Sequence, residues 1–385
     1  MSVSERLRKA FPVVAGVLAL ALTGQGRAAE PIKIGSFLAV TGPAAFLGDP
    51  EKKTLELYVD KINAEGGVLG HPLELVVYDT GTSAKNAVTY VKRLLEQDRV
   101  DAIVGGTTTG ETMAVIKLVE KAERPFISLA GASVIIDPVK KWVFKTPHTD
   151  RMAVEKVYAD MKKEGVTEIG LIGGSGGFDK SCLKNAKELA GSYGLTIKAA
   201  EQYGKGDTDM TPQLTKIRNA GVQAVLFCGF GAASTIVTKN YAQLGMEGRL
   251  YHNHGSCSKR FIEGAGEAAE GVRLPCAALV VADQLPEDDP QRAVGLAYIE
   301  AYRQAYGEDV STFGGHAYDA LFLMVGAMER AGTTDPAAVR DALEQTRNFI
   351  GVDGIFNMSP EDHLGLGPEA FKMLEVQGGN WKYLY

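Results

Sequence analysis

The sequence predicts an α/β protein made of two lobes, each a doubly wound sheet with helices on both faces. Apolar strand-like runs alternate with amphipathic helical stretches from Ile32 onward, and the alternation restarts near residue 168. The runs are almost continuously apolar, which is typical of parallel strands covered on both faces. A chain of 385 residues is also longer than one hydrophobic core usually supports.

The first lobe is predicted to contain four strands with helices between them. Apolar residues recur at helical spacing from Leu55 to Ile62 and again from Val88 to Leu95, which indicates two helices with one buried face each. The four strand-like runs are IKIGSFLAV, LELVVYD, DAIVGG and RPFISLA.

The second lobe repeats this order. Helical stretches at 179–193 and 209–220 lie between its strands, and long helices return over 287–349, one of them around 316–331. The glycine-rich stretch 351–385 predicts short strands. The four strand-like runs of the second lobe are EIGLIGG, LTIKAAEQY, QAVLFCGF and RLYHN.

Short strand-like passages predict the three places where the chain crosses between the lobes. They lie near Thr146–Asp150, near Ala277–Val281 and near the C-terminus. The predicted domain limits are 29–148 plus 280–365 for the first lobe and 149–279 plus 366–385 for the second.

Residues 1–28 predict a secretory signal peptide. Three basic residues precede the apolar run FPVVAGVLALALTG, and small residues flank Arg27 just before the expected mature start at Ala29. The run is short for a membrane span, although a retained N-terminal anchor is the alternative. Export predicts a periplasmic mature chain that is not inserted in the membrane. Loss of four basic residues and one acidic residue takes the formal net charge from −6 to −9, which argues against nucleic acid as a partner.

The four cysteines all fall in the second half of the chain. An exported protein can form disulfide bonds, and spacings of 46, 29 and 19 residues without a CxxC fit no standard zinc pattern. Cys257 and Cys276 flank one short helical segment and are predicted to be bridged. Cys182 and Cys228 are predicted to be buried and free.

Small and hydroxyl-bearing residues follow two strands of the first lobe, at the strand ends where open α/β sheets bind ligands. Two glycines lead into three threonines, Thr107–Thr109, at the start of a helix. Hydroxyls and free N–H groups at a helix N-terminus favour an anion such as a carboxylate. One threonine can instead be the N-cap, which leaves two to spare. The turn Ala130–Ser133 lets the backbone approach a ligand closely; an ordinary turn capped by Ser133 is the alternative.

The sequence carries no familiar catalytic or cofactor motif. GxSxG and HExxH are absent, and the GGSGG run at 173–177 would need a third glycine where Asp179 stands. Two histidines near Cys257 in YHNHGSC are weak evidence for a metal site, because no acidic residue lies close to them in the sequence. We therefore predict no enzyme activity, no cofactor and no metal. An enzyme, the alternative from another class, would have to use Asp79, Asp179 or His254 as its acid or base.

The sequence resembles the type I periplasmic solute-binding proteins of ABC importers, in the branch that includes the branched-chain amino-acid binding proteins. The resemblance implies two lobes joined by three crossings, which close on a small solute and present it to a membrane permease, and it implies a monomer. It covers nearly the whole mature chain. The motifs that carry it are VTGPAAFLGDPEKKTLELYVDKINAEGGVLGHPLELVVYDT, VGGTTTGETMA, ISLAGAS, FKTPHTD and HAYDAL.

The resemblance also implies where the ligand binds. Thr108 and Thr109 stand where the family holds the ligand carboxylate, and Phe178 and Phe230 stand where the amino-acid binders commonly carry tyrosine. His254 stands where those binders place the acid that holds the ammonium group. The implied ligand-binding residues are Phe46, Leu47, Thr108, Thr109, Ala130, Gly131, Ser133, Phe178, Asp179, Phe230 and His254.

A histidine in place of that acid argues for a ligand with a carboxylate and no amine. A buried ammonium without a counter-charge costs about 3–5 kcal/mol, although the nearby Asp179 is an alternative source of that counter-charge. The phenylalanine rings suit an aromatic acid of the benzoate, hydroxybenzoate or cinnamate type, which is the leading prediction. The alternative within the class is a branched-chain or other aliphatic amino-acid or amide receptor. A third reading is a sensor domain that signals through a separate partner protein.

Overall fold

The first sheet is built from the first five strands of the chain. The computed structural model describes residues 29–385, so the signal-peptide prediction lies outside the described residues. Every neighbouring pair in this sheet is parallel, in the order β2-β1-β3-β4-β5. The strands are β1 (Ile32–Leu38), β2 (Leu73–Asp79), β3 (Ala102–Gly105), β4 (Phe126–Ser128) and β5 (Val143–Lys145).

Helices cover both faces of this sheet. Three of them connect its strands, and three from the C-terminal third pack on the face that carries Ile34, Leu38 and Val104. The connecting helices are α1 (Ala45–Ala64), α2 (Ala84–Arg93) and α3 (Thr109–Ala122), and α2 continues into a π-helical turn at Leu94–Asp98. The C-terminal strands and helices of this lobe are α9 (Pro290–Tyr306), α10 (Thr312–Ala331), α11 (Pro336–Glu344) and the hairpin β11 (Phe349–Ile350) and β12 (Ile355–Phe356).

The second sheet has seven strands in the order β14-β13-β10-β9-β8-β6-β7. Its first five strands along the chain pair in parallel, whereas the two C-terminal strands are antiparallel. The strands are β6 (Glu168–Gly173), β7 (Thr196–Gln202), β8 (Ala224–Cys228), β9 (Arg249–His252), β10 (Arg273–Ala277), β13 (Phe371–Gln377) and β14 (Asn380–Tyr383). Its helices are α4 (Asp150–Lys163), α5 (Gly177–Leu189), α6 (Thr211–Asn219), α7 (Ala232–Gln243) and α8 (Lys259–Ala265).

The predicted fold class, two α/β lobes of mostly parallel sheets, is confirmed. The chain passes between the sheets after β5, after β10 and before β13, so it crosses three times. The predicted domain limits stay a prediction. Within residues 29–385 no helix is both long and apolar enough to cross a membrane.

Two strands lie outside the predicted set. Strand β5 has only three residues and ends in the fully buried Lys145, and β10 contains Pro275. A fully buried lysine is rare in any strand, and a proline is rare in an interior strand such as β10, which is why the apolar-run pattern does not reveal them.

The prediction that Cys182 and Cys228 are free is wrong, because they form a disulfide bond with their Cα atoms 5.7 Å apart. Helix α5 packs on β8, which brings the two cysteines together across 46 residues of chain. The predicted bridge between Cys257 and Cys276 is confirmed, with a Cα separation of 5.9 Å.

Candidate ligand-binding site

A cavity lies between the two sheets, where the loops after several strands of both lobes meet. The empty space between its lining residues is about 460 Å³, including the part that opens to solvent. The lining residues are Leu47, Glu51, Thr107, Thr108, Thr109, Leu129, Gly131, Pro147, Phe178, Phe230, His254, Gly255, Phe313 and His316.

The three threonines after β3 have different hydrogen-bonding roles. The Thr107 hydroxyl accepts a hydrogen bond from the Ala39 N–H at 3.0 Å and donates one to a carboxyl oxygen of Glu51 at 2.5 Å. Thr108 caps α3 in a capping box with Glu111, to which its hydroxyl donates at 2.8 Å. Thr109 is 4% exposed, and its hydroxyl has no hydrogen-bond partner. The Thr109 hydroxyl is therefore the one of the three that remains free for a ligand.

The start of α3 supplies further donors beside that hydroxyl. By helix geometry the N–H groups of Thr109 and Gly110 have no intrahelical acceptor, and the helix dipole makes this end favourable for an anion. Helix α5 of the second lobe also begins here: a Cβ on Gly177 would lie 3.4 Å from Cγ2 of Thr109. Two helix N-termini thus meet at one edge of the cavity.

One wall of the cavity is apolar and aromatic. The rings of Phe178 and Phe230 lie 6.0 Å apart at 72°, a near-perpendicular arrangement that aromatic pairs favour. Leu47, Leu129 and Phe313 complete this wall from the first lobe. A ligand body that contacts it must be apolar.

Gly131 of the first lobe packs closely against His254 of the second lobe at the cavity. A Cβ at Gly131 would lie 2.7 Å from Nε2 of His254 and 3.0 Å from Phe178, so no larger residue fits there without a shift. Nδ1 of His254 is buried without a partner. Burial lowers the pKa of His254 well below its ordinary value of 6.5, and neighbouring His148 and Lys145 lower it further. His254 is therefore neutral and offers a ligand one N–H donor rather than a charge.

Glu51 and His316 are two polar lining residues that were not among the predicted site residues. Nδ1 of His316 lies 2.6 Å from Oδ2 of Asp353, and burial lowers the pKa of His316 to about 3. Glu51 is 1% exposed and carries the only carboxylate that lines the cavity in the described part of the chain. Burial raises the pKa of Glu51 well above its ordinary value, and the nearby Glu111 raises it further.

Sequence signals for these missed residues exist. Leu47, Glu51 and Leu55 are spaced by four residues, which places the glutamate on the buried stripe of α1. His316 opens the HAYDAL motif, and Phe313 precedes it by one helical turn. Of the other missed lining residues, Leu129 and Gly255 adjoin predicted ones, and Pro147 lies in the FKTPHTD motif.

Four of the predicted site residues do not line the cavity. Asp179 caps α5 through the Gly176 N–H at 3.2 Å, and burial raises its pKa to about 6. Ser133 accepts a hydrogen bond from Asn185 of the second lobe at 3.1 Å, so it holds the lobes together. Phe46 packs on Phe313 and borders a neighbouring cavity. Ala130, which precedes Gly131 in the chain, is buried.

The histidine–cysteine group has no metal-like geometry. Cys257 forms a disulfide bond and so has no free thiol. Both ring nitrogens of His252 are hydrogen-bonded to hydroxyl groups, those of Ser256 at 2.8 Å and Thr238 at 3.1 Å. Across residues 29–385 no three His, Cys, Asp or Glu side chains gather as metal ligands.

Two α/β lobes that close over a cavity with an anion-favouring edge and an aromatic wall define a two-lobed solute-binding receptor. The chain belongs to the periplasmic binding protein family, whose model matches residues 31–380. The fold is accordingly that of the type I periplasmic binding proteins. This family consists of substrate-binding receptors of transporters and not of enzymes.

Curated relatives and solved structures are similar over most of the chain. A leucine-, isoleucine-, valine-, threonine- and alanine-binding protein of Pseudomonas aeruginosa is 26% identical, with 88% of each chain covered. An extracellular ligand-binding receptor from Rhodopseudomonas palustris superposes with a TM-score of 0.86 at 26% identity, covering 92% of this chain and 99% of that one. The branched-chain amino acid transporter substrate binding protein of Streptococcus pneumoniae, in complex with isoleucine, gives 0.81 at 25% identity over 92% and 98%.

Proposed function

We propose that the mature chain is a periplasmic receptor that delivers a small apolar amino acid to the permease of an ABC importer. The relatives whose names state a ligand bind leucine, isoleucine, valine and other small amino acids, which supports the amino-acid alternative over the aromatic acid of the leading sequence prediction. Export through residues 1–28 and a monomeric state are part of the proposal.

The observation that carries this proposal is the unpaired Thr109 hydroxyl at the start of α3, in a cavity that also has an aromatic wall. A ligand carboxylate accepts hydrogen bonds from this hydroxyl and from the free N–H groups of the first helical turn. A hydrogen bond to a charged group contributes about 1.5–3 kcal/mol. The neutral His254 then donates a further hydrogen bond without adding charge.

The body of the ligand packs against Phe178, Phe230 and Leu47. Complete burial of a side chain the size of valine, leucine or isoleucine contributes about 1.5–3 kcal/mol. Anion recognition at the start of α3 and apolar burial against these side chains together suit an amino acid with a hydrocarbon side chain.

An aromatic carboxylate remains the second candidate, favoured by the three phenylalanine rings of the lining and the uncharged His254. Such a ligand stacks on Phe178 and Phe230 and needs no counter-charge for an amine. It therefore competes with an amino acid for the same cavity.

Thermal-shift titration of the mature protein, purified without refolding, separates the two candidates. Leucine, isoleucine, valine and alanine form one set of ligands, and benzoate, 4-hydroxybenzoate and cinnamate form the other. The proposal predicts a melting temperature that rises with the concentration of at least one aliphatic amino acid. Stabilisation by the aromatic acids alone contradicts it.

A further inference from the structure

Glu51 is an acid at a position where the pattern of α1 calls for an apolar residue. The buried stripe of this helix contains Leu47, Thr54, Leu55 and Tyr58, and Glu51 lies within it at 1% exposure. Its carboxyl group faces the cavity instead of solvent. An acidic side chain is almost never fully buried unless it has a partner.

The hydrogen bond from Thr107 satisfies only one of the two oxygens of the Glu51 carboxyl group. Thr107 donates to Oε2 at 2.5 Å and is itself held by the Ala39 N–H. Within the described chain no residue donates a hydrogen bond to Oε1, and no Lys, Arg or His nitrogen lies within ion-pair distance of the carboxylate. The carboxyl group thus has one oxygen fixed in place and one oxygen without a protein partner.

The surroundings of Glu51 oppose its negative charge in the empty receptor. Burial is the largest cause of its raised pKa, and Glu111 on α3 adds like-charge repulsion. The other titratable groups around the cavity are His316 on α10 and His254 after β9, and burial keeps both neutral. A buried carboxylate without a counter-ion is strongly unfavourable. A cationic ligand group is therefore what would let Glu51 ionise.

We propose that Glu51 is the counter-charge for the ligand's ammonium group and sets the specificity of the site for amino acids over acids that lack an amine. The inference rests on the proposed function. Glu51 bonds to Thr107, two residues before the Thr109 hydroxyl that receives the carboxylate. The ammonium and carboxylate of an α-amino acid are attached to one carbon, so a single head group reaches both residues.

The direct test compares leucine with 4-methylpentanoate, which is leucine without its amine, by isothermal titration calorimetry. The wild-type receptor is expected to prefer leucine. Glu51→Gln keeps the side-chain shape and removes the charge, so leucine affinity is expected to fall at least about a hundred-fold while 4-methylpentanoate binds as well as before or better. The control Glu56→Gln removes an acid from the solvent-exposed face of the same helix and is expected to preserve leucine affinity.

A second measurement uses only the wild-type protein and so does not depend on the folding of a variant. If the ammonium ionises Glu51, leucine binding releases a proton at pH values between the pKa of Glu51 in the bound state and its raised pKa in the empty state. Within that range leucine affinity increases with pH by up to about tenfold per pH unit. Titrations in buffers of different ionisation enthalpy count that proton. Uptake of a proton, or no proton exchange at all across this pH range, contradicts the inference.

The outcomes also separate this inference from the proposed function. Leucine bound equally well by wild-type and Glu51→Gln receptors overturns the role of Glu51 and leaves the amino-acid receptor standing. A wild-type receptor that binds 4-hydroxybenzoate and no amino acid overturns the proposed function, and the role of Glu51 with it.

Discussion

Thr109→Val is the most informative single change at the carboxylate end of the site. Valine has nearly the shape of threonine, so the substitution removes one hydroxyl without opening a cavity. The hydroxyl is buried and has no protein partner, and its hydrogen bond to a charged carboxylate is worth about 1.5–3 kcal/mol. The expected loss of ligand affinity is therefore about 10-fold to 150-fold.

Thr109→Val weakens ligand binding but is not expected to destabilise the empty receptor. An unpaired buried hydroxyl costs roughly 1–3 kcal/mol of stability, so Thr109→Val is expected to leave the melting temperature of the empty protein unchanged or raise it. Calorimetric titration measures the loss of affinity, and differential scanning fluorimetry of ligand-free protein measures stability.

Thr109→Ser is the matched control, because it keeps the hydroxyl and loses one methyl group. It is expected to retain most of the affinity. Wild-type affinity in the valine variant would refute the reasoning, because it would show that the Thr109 hydroxyl does not contact the ligand.

Three further predictions concern stability and lobe closure. Reduction is expected to destabilise the protein by about 4 kcal/mol for the Cys182–Cys228 bond, which spans 46 residues, and by about 3 kcal/mol for the Cys257–Cys276 bond, which spans 19. Thiol titration of the unreduced, unfolded protein should find no free thiol. Four free thiols would contradict both disulfide bonds. Because the pKa of Glu51 is raised in the folded state, its carboxyl favours folding less as pH rises above the ordinary value of 4.5. Glu51→Gln is therefore expected to raise the melting temperature of the empty receptor near neutral pH and to have no effect below about pH 4; a variant less stable than wild type at neutral pH would contradict this. Lys259 of the second lobe and Asp309 of the first form an ion pair at 2.6 Å, and 53% and 42% of their side chains are exposed. Because exposed ion pairs contribute little, Asp309→Asn is expected to weaken ligand binding by no more than about fivefold. A larger loss of affinity that persists in high salt would contradict that expectation.

The fold was largely readable from the sequence because its signals are local. Continuous apolar runs identify β1, β3, β6 and β8, all of which are parallel strands buried in the sheet interior. Strands β5 and β10 were missed because Lys145 and Pro275 interrupt that pattern. The disulfide between Cys182 and Cys228 depends on α5 packing over β8, and nothing in the cysteine spacing encodes that contact.

The site was readable only in part, because spacing does not show how each polar side chain is used. The three threonines were expected at a helix start, and they are there. The sequence alone did not show that Thr107 is held by Glu51, although Thr108 with Glu111 has the spacing of a capping box.

Glu51 was missed for a related reason. It is followed by Lys52 and Lys53, and three consecutive charged residues are typical of a solvated stretch of helix. Its inward direction follows only from its place between Leu47 and Leu55 on the buried stripe. An acid that lines the cavity is thus present on the first lobe, whereas His254 stands at the corresponding position of the second.

A crystal structure of the receptor with leucine bound tests the central claim most directly. The account predicts a ligand carboxylate oxygen at about 2.5–3.0 Å from Oγ1 of Thr109, the ligand nitrogen beside Glu51, and the side chain against Phe178 and Phe230. A ligand whose carboxylate lies elsewhere, with the Thr109 hydroxyl turned away from it, or whose amine is held by Asp179 instead of Glu51, would contradict it.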